Sequence, residues 1–406
     1  MVYFFILGKN PDLSVAEIIS VLNGLSVDFK IISFEKDVFL VNFDKEIDSQ
    51  PLIKQLGGTI KIGRIVSEID DRIQTSHLTS MFEKAEQKVF FGFSFYSLGV
   101  ENNRFKKLVQ QASHFGMELK KFLKTNFDVS SRWVSGKENT LSSVIVVKNK
   151  LLTQGKEINF FVDVDKIYIG ETIVVQDFVE YGKKDFGRPQ RDIASGIMPP
   201  KLAQILINLS GTVKTETILD PFCGSGTIIQ EALLLGYEKV WGSDISPKAI
   251  DDTNENLAWL KETMLVDGQA EIKAADVKNL AAIWPEQSVS AIICEPYLGP
   301  NRGSFDLNKI KVELFDLYQQ ALKQFHKILK PGGTLIWLWP LWSLARDESL
   351  AALPDLDWSK FGFEIEPLLP KDLEQKMTTK KSPHGGLIYM RPNQKVAREI
   401  LRLRRV

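Results

Sequence analysis

The stretch Leu219-Asp220-Pro221-Phe222-Cys223-Gly224-Ser225-Gly226-Thr227 decides how the rest of the chain reads. Residues 217–219 form a short apolar run of the kind found in buried parallel strands. The turn after it is Gly-rich, and residues 228–235 then read as a helix closed by Gly236. A strand, a tight Gly turn and a helix N-terminus together suit part of a nucleotide-like molecule. Gly224 and Gly226 carry no Cβ, so ligand atoms can approach the backbone closely.

Downstream, the same kind of strand recurs. Residues 239–244 read as a second strand ending in Asp244, with Ile245 beyond it. Asp244 lies about twenty residues past the loop, the spacing at which a carboxylate accepts from ribose hydroxyls. A third strand begins at Glu271 and ends at Asp276, with Val277 next, and a fourth, 288–293, runs into Cys294-Glu295-Pro296-Tyr297. Asp220, Asp244, Asp276 and Glu295 thus stand at four successive strand ends, where open parallel sheets bind ligands. Residues 246–260 and 312–329 read as helices, 330–333 as a Lys-Pro-Gly-Gly turn and 334–339 as a fifth strand. Segments 361–369 and 386–390 suit a closing antiparallel pair, Lys380-Lys381 lies between them, and 398–405 reads as a basic amphipathic helix.

Three cofactors use such a turn. A P-loop needs a Lys after its last Gly, and Thr227 stands there. A dinucleotide fingerprint wants a third Gly, and Ile229 stands there. S-adenosylmethionine has no phosphates and carries a positive sulfonium and amino group, for which Asp220 is suited. The full Asp-Pro-Phe-Cys-Gly-Ser-Gly-Thr string resembles the first motif of the methyltransferases that act on exocyclic nitrogens of nucleobases. The cofactor residues expected are Asp220, Phe222, Gly224, Gly226, Thr227, Asp244, Ile245, Asp276 and Val277.

Composition narrows the class. At 406 residues, two or three domains are expected. Apolar content of 44% and charged content of 25% are those of an ordinary globular protein, and no apolar run is long enough to span a bilayer. The apolar start lacks a basic leader and meets Lys9-Asn10-Pro11-Asp12 at once, so it reads as a strand rather than a signal peptide. The two cysteines argue for a reducing cytoplasm and against a disulfide framework, and the four histidines show no metal-ligand spacing, so no metal is expected. Net charge is zero, so any nucleic-acid contact must come from a local patch.

The N-terminal half reads as α+β. Strands are expected at 2–7, 27–34, 38–43, 60–69, 91–97, 141–147, 157–164, 166–169 and 171–175. Helices are expected from a capping box at Ser14 to about Leu22, and at 51–56, 80–89 and 104–123. Residues 175–192 are polar, charged and broken by Gly and Pro, which suits a linker, and Met198-Pro199-Pro200 opens another helix.

The opening Phe-Ile-Leu-Gly-Lys-Asn-Pro-Asp-Leu-Ser-Val-Ala-Glu-Ile, the segment from Leu56 to Gly63 and the stretch from Leu141 to Lys150 resemble tRNA guanosine N2-methyltransferases carrying a THUMP domain. The resemblance covers most of the chain. It implies an α/β protein: a C-terminal Rossmann-like class I methyltransferase on a seven-stranded sheet, preceded by an α+β, THUMP-containing RNA-binding half. The expected division is a ferredoxin-like module at 1–75, a THUMP-like domain at 76–175, a linker at 176–200 and the methyltransferase domain at 201–406. It implies tRNA as partner, no membrane, a cytoplasmic monomer, and methyl transfer to a guanosine N2 amine in the D-stem region. Arg132, Lys137, Lys148 and Lys150, with Lys156, are the candidate phosphate contacts. Residues around Met198 close over the cofactor's methionine end in the family, where an acid at Asp276 accepts from the adenine amino group. The family's last motif is Asp/Asn-Pro-Pro-Tyr, and this chain departs from it: Cys294 takes the acid position and Glu295 that of the first proline. Glu295 is then the carboxylate, Pro296 stiffens the turn and Tyr297 stacks on the base, so the catalytic set is Cys294, Glu295, Pro296 and Tyr297. A DNA adenine or cytosine amino-methyltransferase shares these motifs, and a non-catalytic protein binding S-adenosylmethionine and RNA also accommodates the departure.

Overall fold

The computed structural model describes residues 1–70, 73–83, 88–99, 103–191, 198–266, 268–300, 306–343, 350–378, 382–391, 394 and 396–406. Two compact units emerge: Met1–Pro11, Val27–Lys54 and Gly58–Phe178 form one, and Asp12–Ser26, Gln55–Gly57 and Val179–Val406 the other.

The first unit is built on one sheet. Its strands are β1 (Val2–Leu7), β2 (Phe29–Glu35), β3 (Val38–Phe43), β4 (Thr59–Ile69), β5 (Val89–Ser97), β6 (Ser131–Val134), β7 (Gly155–Val162) and β8 (Ile167–Val175). Their order is β2-β3-β1-β4-β8-β7-β5-β6, antiparallel except where β5 pairs with β6 and β7. The helices in this stretch are α1 (Pro11–Gly24), nearly all of it in the second unit, α2 (Ser49–Gln55), α3 (Asn103–Phe127) and α4 (Ser143–Lys148). Phe91, Phe93 and Phe95 of β5 pack with Phe160 of β7 and with Phe105 and Leu119 of α3. A buried polar network sits inside the sheet. Lys61 donates to a Glu157 oxygen at 2.5 Å and to the Leu141 carbonyl, Ser94 donates to the same Glu157 oxygen, and Thr172 donates to the other. Each buried charge therefore has a partner, which is the condition for tolerating it.

Several expectations are corrected here. Residues 141–147 are not a strand. Ser142 caps α4 by accepting from the Ile145 N–H, and the cap outweighs the strand preference of the β-branched run. Residues 75–81 form a 3₁₀ helix and Val89 already opens β5, so no helix spans 80–89; residues 84–87 lie outside the described set. The two strands expected at 166–169 and 171–175 are one, because Gly170 continues the ladder.

The second unit continues with α5 (Phe178–Phe186), α6 (Pro200–Leu209), β9 (Thr217–Asp220), α7 (Thr227–Leu234), β10 (Lys239–Asp244), α8 (Pro247–Met264), β11 (Gln269–Ala274), β12 (Val289–Cys294) and α9 (Leu307–Ile328). Then come β13 (Leu329–Ser343), β14 (Leu350–Ala352), β15 (Phe363–Glu366), α10 (Lys371–Glu374), β16 (Leu387–Tyr389) and β17 (Val396–Arg405). The sheet runs β11-β10-β9-β12-β13-β17-β15, with β14 added to β13 and β16 to β17, so nine strands replace the expected seven. β9 to β13 are parallel and β17 is antiparallel to β13. Strand order reverses between β9 and β12, the switch point at which such sheets open a crevice. The core lies between β12, β13 and α9, where Tyr318 meets Trp337 edge-on at 5.0 Å.

Two further expectations change. The expected linker contains α5, while 192–197 of it lie outside the described residues, as do Lys380 and Lys381. Residues 398–405 are not a helix but all except the first two residues of β17. Their arginines recur at near-helical spacing, yet Leu401 and Leu403 are buried between β13 and β15, and Arg402 and Arg404 pair with Glu366. Tertiary pairing thus overrides the local pattern. The turn at 330–333 is present as a bulge inside β13, since the register with β12 jumps from Val289–Leu329 to Ala291–Thr334 and Gly332 has φ +73°.

Replacing Glu157 with Ala leaves Lys61 buried without a counter-charge. The expected cost is about 3–5 kcal/mol, read as a fall in the urea midpoint of the full chain.

Candidate cofactor and acceptor site

The turn from β9 to α7 is held by side chains around it. The Asp220 carboxylate accepts from the Phe222 N–H at 3.1 Å, and the Cys223 N–H donates to the Ser243 carbonyl of β10 at 3.0 Å. Thr253 of α8 donates to the Gly224 carbonyl at 2.7 Å, and Asn256 to the Ser225 carbonyl at 2.8 Å. Gln230 of α7 donates to the Ser225 and Gly226 carbonyls. Gly224 and Gly226 have φ of +52° and +80°, which only glycine adopts without strain. A Cβ on Gly224 would meet open space, whereas one on Gly226 would come within 2.8 Å of Thr253 Cγ2.

Asp244 ties this turn to its neighbour. One carboxylate oxygen accepts from the Gly224 N–H at 3.0 Å and the other from the Ser246 N–H at 2.9 Å. Each oxygen keeps a second lone pair for a ligand hydroxyl. Ile245 stands beside it, 69% exposed and apolar, a surface for a flat ring. Asp276 is further along the rim, where its side chain accepts from the Lys278 N–H and caps the 3₁₀ turn 277–282. The Val277 side chain is buried in the core, so only its backbone fronts a ligand, while Phe222 is half-buried at the edge of the same core. Thr227 is buried at the start of α7, and its hydroxyl accepts from Arg188 at 2.6 Å.

Electrostatically, Asp220 is the centre. Burial pushes its carboxyl well above the usual carboxylate range; the Phe222 N–H works against this, and Asp244 and Glu295 push it higher again. Two of the other strand-end acids therefore bear on Asp220, and a cation beside it relieves the repulsion. Among the described residues no group of His, Cys, Asp and Glu is arranged to hold a metal.

Beyond β12 the motif splits in two. Cys294 was expected among the catalytic residues, but it is completely buried beside Tyr318 and Trp337, and burial pushes its thiol well up. A neutral thiol in the core touches no substrate, so its role is packing. Glu295 is 19% exposed, Pro296 is buried, and Tyr297 is 56% exposed with its carbonyl accepting from the Tyr318 hydroxyl at 2.7 Å. The Tyr297 ring is thus free while its backbone is fixed.

The phosphate candidates share one segment of the first unit. Arg132 is exposed on β6, the edge strand, Lys137 follows in its loop, and Lys148 and Lys150 end α4, all exposed. Lys156 differs: it pairs with Glu171 at 2.5 Å beside Arg64. Burial raises the Glu171 carboxyl, but these two cations more than offset it and hold it below the usual range. Residues that sequence reasoning missed are Thr253, Gln230 and Arg188, which carry no motif signal of their own.

The sheet order and the Gly turn at its switch point define an α/β methyltransferase fold. A family described as RMKL-like, methyltransferase domain, matches residues 188–342, and one described as DNA methylase matches 102–255. The resemblance read from the sequence is also the one that curated proteins return. The chain is 34% identical over 140 residues to the tRNA (guanine(10)-N2)-dimethyltransferase of Methanothermobacter thermautotrophicus, covering 34% of this chain and 38% of that protein. It is 26% identical over 226 residues to the protein of the same name from Pyrococcus abyssi, covering 53% and 64%. It is 33% identical over 147 residues to the tRNA (guanine(6)-N2)-methyltransferase of Thermus thermophilus, covering 35% and 39%. Each match spans less than two thirds of the relative's own length. The crystal structure of TrmN from Thermus thermophilus aligns over 100% of both chains with a TM-score of 0.53 at 15% identity, a likeness of fold.

The two turn glycines are expected to respond differently. Gly224→Ala meets only the dihedral strain, about 1 kcal/mol, whereas Gly226→Ala adds the clash with Thr253 and costs about 1–3 kcal/mol. Thermal unfolding of the two variants, compared with the parent, measures the difference.

Proposed function

We propose that the chain transfers a methyl group from S-adenosylmethionine to the exocyclic N2 amine of a guanosine in tRNA. The observation that carries this is the acidic rim at the switch point, Asp220, Asp244 and Glu295, beside a free aromatic ring at Tyr297. The names of the similar proteins favour guanosine in tRNA over a DNA base. Residues 1–75 are read as a ferredoxin-like module, 76–175 as a THUMP-like domain with Arg132, Lys137, Lys148 and Lys150 on phosphates, 176–200 as the connector and 201–406 as the catalytic domain.

The residues fit the cofactor. The open space over Gly224 admits ligand atoms against the backbone, Asp244 has lone pairs for ribose hydroxyls, and Asp276, with one oxygen on the Lys278 N–H, offers the other to the adenine edge. When bound, S-adenosylmethionine supplies an electrophilic methyl on a positive sulfur. The amine is a poor nucleophile because its lone pair is delocalised into the ring. Glu295 accepts from an amine N–H and draws the lone pair outward, Tyr297 stacks on the base to fix its plane, and Pro296 holds the two in register.

Incubating the full chain with methyl-labelled cofactor and bulk tRNA, and separately with duplex DNA, tests this. After digestion to nucleosides, label in N2-methylguanosine from tRNA is the expected result; label in adenine or cytosine of DNA alone would overturn it. The buried Asp220 gives a second outcome. Its carboxyl is raised in the free protein, and a cationic ligand favours the ionised form, so binding releases a proton and tightens as pH rises through that window. Calorimetry in buffers of different ionisation enthalpy will detect the release, which disappears in Asp220→Asn.

A further inference from the structure

We infer that Arg398 is the positioning residue that aims Glu295 at the acceptor amine. This rests on the function proposed above and adds a group that no motif contains. Arg398 Nε donates to Glu295 Oε1 at 2.8 Å, and Nη2 lies 2.6 Å from the same oxygen in an ion pair. Its Nη1 donates to Gln394 at 3.0 Å, so all three guanidinium nitrogens are engaged in orienting the pair. Arg398 is 7% exposed and Glu295 19%, so the pair is shielded from the screening that weakens surface ion pairs.

The route across the sheet explains the choice of arginine. Glu295 follows β12, Arg398 lies in β17, and β13 runs between them. The β13 residue opposite Arg398 is Pro340. Both nitrogens lie against one oxygen, and no hydrogen bond among the described residues takes Oε2. The carboxylate is therefore held by one oxygen and presents the other. A glutamate has one more rotatable bond than the aspartate of the family's motif and sits one residue later. The guanidinium fork removes that freedom without filling the accepting position. Arg398 touches neither base nor cofactor in this account; it acts through Glu295.

The test is a double-mutant cycle on the full chain: Glu295→Gln, Arg398→Gln and the two together, with Arg398→Lys as the conservative variant. Methyl transfer to tRNA gives kcat and KM, and calorimetry gives cofactor affinity. Arg398→Gln is expected to lower kcat about 10- to 100-fold, with tRNA KM and cofactor Kd changed by no more than about threefold. The double variant should be no slower than Glu295→Gln, and Arg398→Lys should recover part of the loss. An active parent whose Arg398→Gln variant keeps kcat within about twofold overturns the inference, as do losses that multiply in the double variant. Loss of cofactor binding in both Arg398 variants assigns the residue to folding instead and also overturns it. A parent that binds S-adenosylmethionine but transfers nothing overturns the functional reading, and this inference with it.

Discussion

One carboxylate fixes the geometry of the second unit's binding edge. Asp244 accepts a backbone N–H from the Gly turn after β9 and another from the start of α8, so two neighbouring strand-end loops share a single anchor. A carboxylate between two amide donors is held by charge-assisted bonds that neither loop could supply alone. Thr253 and Asn256 then bind the carbonyls of the same turn from the opposite side. The N–H groups of Phe222, Cys223 and Gly224 and the carbonyls of Gly224, Ser225 and Gly226 are thereby bound by protein, and the turn is held in shape by the chain itself. That is the condition under which a strained Gly turn can act as a receptor rather than a flexible loop.

The Cys294-Glu295 sequence at the end of β12 has a structural counterpart. The residue at the acid position is a cysteine, and the interior around it is aromatic and apolar. An ionised aspartate there would carry an unpaired charge into the core, at a cost that large desolvation penalties make prohibitive. Glu295, one position on, lies where the chain leaves the sheet and where a guanidinium reaches it. The shift of the carboxylate and the presence of Arg398 are two halves of one arrangement. Removing either charge leaves the other partly shielded without its counter-charge, which costs stability.

Most of the fold's skeleton was legible in the sequence. The parallel strands β9 and β10 end in an acid and β12 runs into one at Glu295, and a Gly-rich turn follows β9. What was illegible depends on distant partners. The segment 398–405 carries charges at near-helical spacing, and only its placement between two strands makes those charges pair across a sheet. Residues 141–147 are β-branched, yet a single serine cap and one buried valine turn them into α4. Arg398 was beyond reach for the same reason: 103 residues separate it from Glu295, and no local pattern joins them. Cys294 misled in the other direction, since its position in a motif suggested chemistry while its surroundings make it filling.

The place of β17 in the sheet bears on how the second unit is assembled. It follows every other described strand of that sheet in the chain, yet it inserts between β13 and β15 rather than joining at an edge. Until it does so, β13 and β15 have no common neighbour, and these contacts of long sequence separation form slowly. The arginine that steadies Glu295 travels on that same strand. A nascent or partly unfolded molecule with an intact Gly turn would therefore hold Glu295 without its guanidinium partner, and the ion pair would form only with the closing of the sheet.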